Sequence, residues 1–502
     1  MRRPLSFSLI VLHGSTLLGA TFHVKPDGND ALNGLSMATA WATLQHAADL
    51  AVAGDSVLVT AGSYAGFAAM EHSGTANAPI VFSGLGAQVN ITTPCAYNDQ
   101  DGINVENVSW VVVEGFTVDG MPRTGIRTAL SDHITLRHNS CDHNGRWGIL
   151  TGFADQVIIE HNTCSGSVEE HGIYFSNSAD DPVIRYNHCF DNRANGIHMN
   201  GDESMGGDGV ISNAQVYGNV IHGNGVGGGS GINCDGVANS VFHDNLLYDN
   251  HASGISLYRI DAGGPSVDNK VYNNTIVQAT DARWCINITE GCTGNQLLNN
   301  ILVNQHAWRG SIAIAEDALM GFSSDHNIFT ARLSPDGDAT ILDLAGWQAL
   351  GFDLHAQEAA ALNLLFADAV GYDFHAASAT AQQVDAGSTA VQGFVTADIE
   401  GTPRPLGAGF DAGCHEFDGA TRTPGARLPS PMNMFVRDGM LRIEGVATGA
   451  VLHWMDHIGR ALLPPEVVTL PYDGPVPSVP LAIAVLREKS GHLLGTRSFV
   501  WP

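Results

Sequence analysis

Residues 156–200 read QVIIEHNTCSGSVEEHGIYFSNSADDPVIRYNHCFDNRANGIHMN. Two turns of a repeat are visible in this stretch. Gly172-Ile173 and Gly196-Ile197 stand 24 residues apart, and Asn162 and Asn187 each close a short β-branched or apolar run. Extended outward, the Gly-Ile pair recurs at Gly102, Gly125, Gly148, Gly172, Gly196, Gly231 and Gly254, with spacings of 23, 23, 24, 24, 35 and 23. The asparagine ladder runs through Asn139, Asn162, Asn187, Asn219, Asn245, Asn274, Asn300 and Asn327. A fixed period of this length is the mark of a stacked solenoid. It holds three strands of about five residues plus three turns. Helical repeats are longer, and leucine-rich repeats carry leucines at offsets absent here. The fold expected is all-β: a right-handed parallel β-helix of three-strand coils.

The period of two along a strand assigns the faces. Ile103, Ile126, Ile149, Ile173, Ile197, Ile232 and Ile255 form one inward column. Val105, Thr128, Thr151, Phe175, Met199, Cys234 and Leu257 form the next. Cys141, Cys164, Cys189, Ile221, Leu247, Ile276, Leu302 and Phe329 make a third, so its cysteines read as small buried hydrophobes and not as metal ligands. Asparagine tolerates the left-handed turn conformation and bonds the neighbouring backbone, so the ladder reads as structural. Cys285 and Cys292 are the local pair expected to bridge.

Open ends of a solenoid need covering. Residues 39–52 read as an amphipathic helix with Trp41, Leu44, Ala47, Ala48 and Val52 on one side, and 21–94 as the N-terminal cap and first coils. The β-helix is assigned to 95–417, its repeat fading after about 330 and 340–417 forming its end and C-terminal cover. Residues 418–431 read as a Pro/Thr/Gly/Arg linker, and 432–502 as a small β-sandwich. Residues 1–20 carry Arg2 and Arg3, an apolar run and Gly19-Ala20, the pattern of a signal peptide too short to span a membrane. A secreted or cell-surface location is expected, with no membrane span. The net charge is −28, with three lysines, which excludes a general nucleic-acid or anionic-membrane binder.

Val24-Lys-Pro-Asp-Gly-Asn-Asp, Trp41-Ala-Thr-Leu-Gln, Gly54-Asp-Ser-Val-Leu-Val and Gly62-Ser-Tyr resemble the opening of pectate-lyase-like β-helix proteins. Asp398-Ile-Glu-Gly-Thr-Pro-Arg and Asp411-Ala-Gly-Cys-His-Glu resemble their closing block. The resemblance spans about 22–417 and implies a polysaccharide lyase scaffold, specific for fold more than for reaction. No lysine stands on the candidate face, where chondroitinase-B-like and pectate lyases employ a Lys or Arg base. The tail from Asp438 through Asp456-His-Ile-Gly-Arg resembles a type IX secretion sorting domain, with Ser430-Pro-Met-Asn in place of its usual Pro-Asn-Pro. That resemblance implies the outer-membrane secretion machinery as a partner.

Chemistry must lie on outward residues. The richest stretch is 169–259, where one coil is lengthened by about 11 residues. Uronate β-elimination needs a base, an acid and a neutraliser of the carboxylate. His198 or His171 is expected as base, Tyr174 as acid and Arg193 as neutraliser. Arg127, Asn195, Asn200, Asn233, Tyr258 and Arg259 are expected to hold substrate. Asp202, Glu203, Asp208 and Asp235 offer hard oxygen ligands for Ca2+. Two alternatives stay open. A glycoside hydrolase would use two of Glu170, Glu203 and Asp235. A non-catalytic glycan-binding protein would stack sugars on Trp147, Tyr174 and Tyr258. Nothing demands an oligomer, and a monomer is expected.

Overall fold

The structure is a computed structural model that describes residues 19–419 except Leu85 and Ala87, together with the strands between 433 and 500. The signal-peptide reading and most of the linker lie outside the described residues. The chain winds as a right-handed parallel β-solenoid with three sheets. A front sheet of eleven strands runs from Phe67–Ala69 to Leu333–Ser334 and carries the Gly-Ile pairs. A side sheet of twelve runs from Thr21–Val24 to Ser323–Asp325, and a back sheet of twelve from Gly62–Ala65 to Gln357–Glu358.

Ile126 pairs with Ile103 and Ile149, and Ile197 with Ile173 and Ile232, so the isoleucines stack coil upon coil. All three expected columns are buried in one continuous core. Each ladder asparagine sits at the corner between side and back sheets, just after a residue in the left-handed region such as His138, His161 or Tyr186. From Asn139 to Asn300 the backbone N–H and Nδ2 both donate to Oδ1 of the next ladder asparagine, and Nδ2 also donates to a carbonyl one coil back; Asn327, the last, donates instead to Asp353 Oδ1. For Asn187 these partners are Asn219 Oδ1 at 3.0 and 3.1 Å and Ile159 O at 2.8 Å. Asn219→Ala would leave the Asn187 N–H buried without its partner and remove a side-chain bond from the Ile184 carbonyl. A loss of about 2 kcal/mol is expected, read as a lowered denaturation midpoint, and an unchanged midpoint would refute the structural role.

The N-terminal cap differs in detail from expectation. The helix is shorter, Leu44–Leu50, capped by Thr43, whose hydroxyl accepts from His46 N. Ala51 is buried in place of Val52, which is exposed, because the chain leaves the helix before that position. Trp41 is buried ahead of the helix and stacks on Phe22 at 4.5 Å. The expected Cys285–Cys292 bridge is not formed. All eight cysteines are free and buried, and Cys292 Sγ accepts from Ser266 N at 3.1 Å.

The segment 340–417 does two different jobs. Trp347, fully buried against Phe322 and Phe352, plugs the open end of the solenoid. Residues 360–417 return along the outside of the back sheet. Leu365, Phe366, Phe374 and Cys414 pack there on Leu246, Val277, Ile301 and Ile328. Buried Arg404 ties this return segment to the ladder corner through Asp244 at 3.1 Å. Farther on, antiparallel sheets of three and four strands occupy Asn433–Arg437 to Leu493–Val500.

Candidate active site

The front sheet presents two outward columns. Register aligns Tyr174, His198, Asn233, Ser256 and Asn287 in one, and Ser176, Asn200, Asp235 and Tyr258 in the other. Coils are about 4.8 Å apart, so a long side chain reaches the neighbouring coil or the one beyond. The extra residues of the long coil divide between the two edges of this sheet, 201–210 on one and 225–229 on the other.

Toward the C-terminal coils lies a cleft of about 440 Å³, whose lining takes Gly229 from the second of these insertions. Asn233, Ser256, Tyr258 and Asn287 are among its lining residues, with Arg283 and Arg309 on one edge and Glu290 and Asp338 on the other. Arg283 and Arg309 occupy the same turn position on adjacent coils, three residues before Ile286 and Ile312, which pair. Neither forms an ion pair among the described residues. By contrast Arg123, Arg127, Arg137, Arg146, Arg185 and Arg404 are all held by carboxylates. Two guanidiniums without carboxylate partners put positive charge on one edge of the cleft, facing the carboxylates of Glu290 and Asp338 on the other.

A directional hydrogen-bond chain ends in this cleft. His171 Nδ1 faces two donors, the Asn195 backbone N–H at 3.3 Å and Asn195 Nδ2 at 3.1 Å. Nδ1 therefore accepts, and the His171 proton sits on Nε2. Nε2 lies 3.0 Å from His198 Nδ1 and 3.5 Å from Glu170 Oε2, and donates across the shorter contact. His198 then carries its own proton on Nε2, 3.4 Å from Tyr258 Oη. Tyr258 Oη accepts a second bond from Asn233 Nδ2 at 2.7 Å. With both lone pairs of the phenol oxygen occupied, its proton is left to point into the cleft. Burial pushes His198 down to about 3 and His171 well below the usual imidazole range, with the His198 and Arg146 charges adding to the latter. Both rings are therefore neutral at physiological pH. Burial raises the Tyr258 hydroxyl above its ordinary value, so it holds its proton.

The other expected residues separate around this core. Tyr174 stacks on His198 at 5.0 Å and accepts from Asn200 Nδ2 at 3.1 Å, but does not line the cleft. His171 is 7% exposed, too enclosed to touch a polymer. Asn195 holds the Ser230 backbone through Oδ1. Arg193 is exposed on a turn outside the cleft lining, against Gly227. Arg127 is bound to Glu106 and Asn104 three coils from His198. Arg259 folds onto the Ala262 carbonyl of its own loop.

The four carboxylates expected around Ca2+ do not converge. Asp235 is buried and accepts from the Ile260 and Asp261 backbones, Asp202 caps the turn at Ser204, and Asp208 accepts from Val210 N. The groups of ligand-capable side chains found among the described residues lie elsewhere. Nor do Glu170, Glu203 and Asp235 flank the cleft as a hydrolase pair. Glu170 is engaged by Arg146 and by Trp147 Nε1. Sequence reading missed Arg283, Arg309 and Asn287 because Cys285-Ile286 and Ser311-Ile312 replace the Gly-Ile signal in those coils. The inward isoleucine itself was the signal that remained.

Residues 90–207 match a family model described as "Right handed beta helix region". Among solved structures, pectate lyase Pel9A is similar with a TM-score of 0.54 and 15% identity, covering 80% of this chain and 96% of that one. A rhamnogalacturonan lyase is 14% identical, covering 62% and 87%, with a TM-score of 0.45. An alginate lyase from Paenibacillus sp. str. FPU-7 is 20% identical, covering 53% and 93%, with a TM-score of 0.43. No curated protein matches the chain. The likeness to Pel9A shows a shared fold.

Proposed function

We propose that this parallel β-helix is a polysaccharide lyase that cleaves a uronate-containing glycan at the front-sheet cleft. The observation that carries the reading is the Tyr258 hydroxyl, aimed into a cleft edged by Arg283 and Arg309. The similar fold of pectate lyase Pel9A supports it by analogy alone. The arginines would pair with the uronate carboxylate and stabilise the charge that develops when the proton alpha to it departs. Tyr258 would give its proton to the departing glycosidic oxygen and take the alpha proton in exchange. The C–O bond breaks, a carbon–carbon double bond forms, and the enzyme ends the turnover protonated as it began. Hydrogen bonds from Asn233 and His198 stabilise the phenolate character during that exchange.

Each charge-assisted Arg–carboxylate contact contributes about 1.5–3 kcal/mol. Arg283→Gln combined with Arg309→Gln is therefore expected to raise KM for a polyuronate by at least about tenfold. The double variant should also lose the steep salt sensitivity of binding. An unchanged KM would remove the arginines from the site and with them the polyanion reading.

A further inference from the structure

The return segment gathers two imidazoles and a carboxylate at a place the front-sheet chemistry does not use. His375 lies in the strand Asp373–Ala376, Glu400 in the turn after Asp398, and His415 in the closing block. The His375 and His415 rings are 3.9 Å apart between centroids, and His375 Nε2 is 3.2 Å from Glu400 Oε2. One ligand-capable atom from each of the three lies within 4.8 Å of the others.

Asp373 Oδ1 accepts from His375 Nδ1 at 2.6 Å. This fixes the tautomer, so in the neutral ring Nε2 turns its lone pair toward the Glu400 carboxylate. A positive charge between these two atoms, either a proton or a metal ion, accounts for that separation. A proton would serve one imidazole. A metal ion would in addition use the nitrogen of His415 beside it. The 3.2 Å separation matches the edge of a tetrahedron with bonds of 2.0–2.1 Å, about 3.3 Å. A carboxylate holding the far nitrogen of a histidine is the arrangement that orients imidazole ligands on metals. His375 is buried while Glu400 is exposed, which leaves an entry path for an ion.

We infer that His375, Glu400 and His415 form a binding site for a borderline divalent metal, Zn2+ being the ion that this nitrogen-nitrogen-oxygen donor set suits. Three protein ligands leave the fourth position to solvent. The ion would staple the hairpin at 366–376 to the closing block that Arg404 anchors to the solenoid. It would thereby fix one wall of a second cavity, about 790 Å³, lined by Tyr248, Phe366, Tyr372 and Phe374.

The test is calorimetric titration of the full chain, stripped with a chelator and dialysed, with ZnCl2. Uptake of one zinc per chain is expected at this site. Glu400→Gln, an exposed change that should not disturb folding, and His415→Ala are each expected to weaken it at least tenfold. Asp373→Asn should weaken it by about 10–100-fold. Bound cobalt should show the visible absorption of a tetrahedral site, and zinc should raise the melting temperature of the wild type and not of Glu400→Gln. His355→Ala, which dismantles a separate cluster formed with Asp325 and His326, should change nothing. Absence of stoichiometric uptake would overturn the inference. So would uptake that survives Glu400→Gln and disappears in His355→Ala.

Discussion

Tyr258→Phe is expected to lower turnover of a polyuronate by about 10²–10⁴-fold, the usual contribution of a positioned proton-transfer group, with little change in KM. The ring remains to fill its place beside Asn233, and only the hydroxyl is lost. His198→Ala should cost less, because it removes one of two bonds to the phenol oxygen and leaves the proton in place. Tyr174→Phe should cost least, since that hydroxyl contacts Asn200 and does not line the cleft. Because burial holds His198 at about 3, the pH profile of kcat/KM should show no limb near 6.5, the ordinary imidazole value. Full activity in Tyr258→Phe, or a limb near 6.5 abolished by His198→Ala, would make the histidine the reacting group instead.

Arg404→Met should give the largest loss of stability. The guanidinium is fully buried and lies 3.1 Å from both the Asp244 and Glu416 carboxylates, themselves buried. It also donates to the Asp411 and Gly413 carbonyls. Removing it leaves two buried carboxylates without their counter-ion, a change that costs about 3–5 kcal/mol. Burial already raises both acids above their ordinary values, and the Arg404 charge opposes that rise. Without the arginine the rise is greater, so the folded variant binds protons that the unfolded chain does not. The variant's deficit should therefore be full at neutral pH and shrink as pH falls toward the ordinary carboxylate range. Thermal melts of both proteins across that range measure it. A deficit that grew on acidification would contradict the placement of these charges.

The core was legible in the sequence because two periods coincide there. The coil repeat places Ile103 to Ile255 in register, and the strand period of two puts Thr128, Phe175 and Cys234 on the same inner face. The ladder was legible because an asparagine closes a short apolar run once per coil, although the left-handed corner falls on the residue before it, such as His138 or Tyr186. Past Ile255 the glycine of the pair is lost, and the coils bearing Arg283 and Arg309 dropped out of view with it. The return segment was not legible either. Phe366 and Phe374 pack on the outside of the back sheet, and no periodicity announces a chain that folds back along a solenoid.

Within the site, the outward columns brought Tyr174, His198, Asn233 and Tyr258 to notice together. Their roles could not be read, because the direction of the proton chain is set by a backbone N–H at Asn195 that sequence cannot orient. The acidic loop looked like a cation site because Asp202, Glu203 and Asp208 cluster along the chain. In space Asp202 and Asp208 cap turns of their own loop, and Asp235 caps the loop facing it.

The most direct test of β-elimination is ultraviolet absorbance during incubation with a panel of polyuronates. The expected result is a steady rise from unsaturated uronate on at least one substrate, abolished by Tyr258→Phe and unaffected by Asp208→Asn. New reducing ends without any such rise would mean hydrolysis at this face and would contradict the proposal.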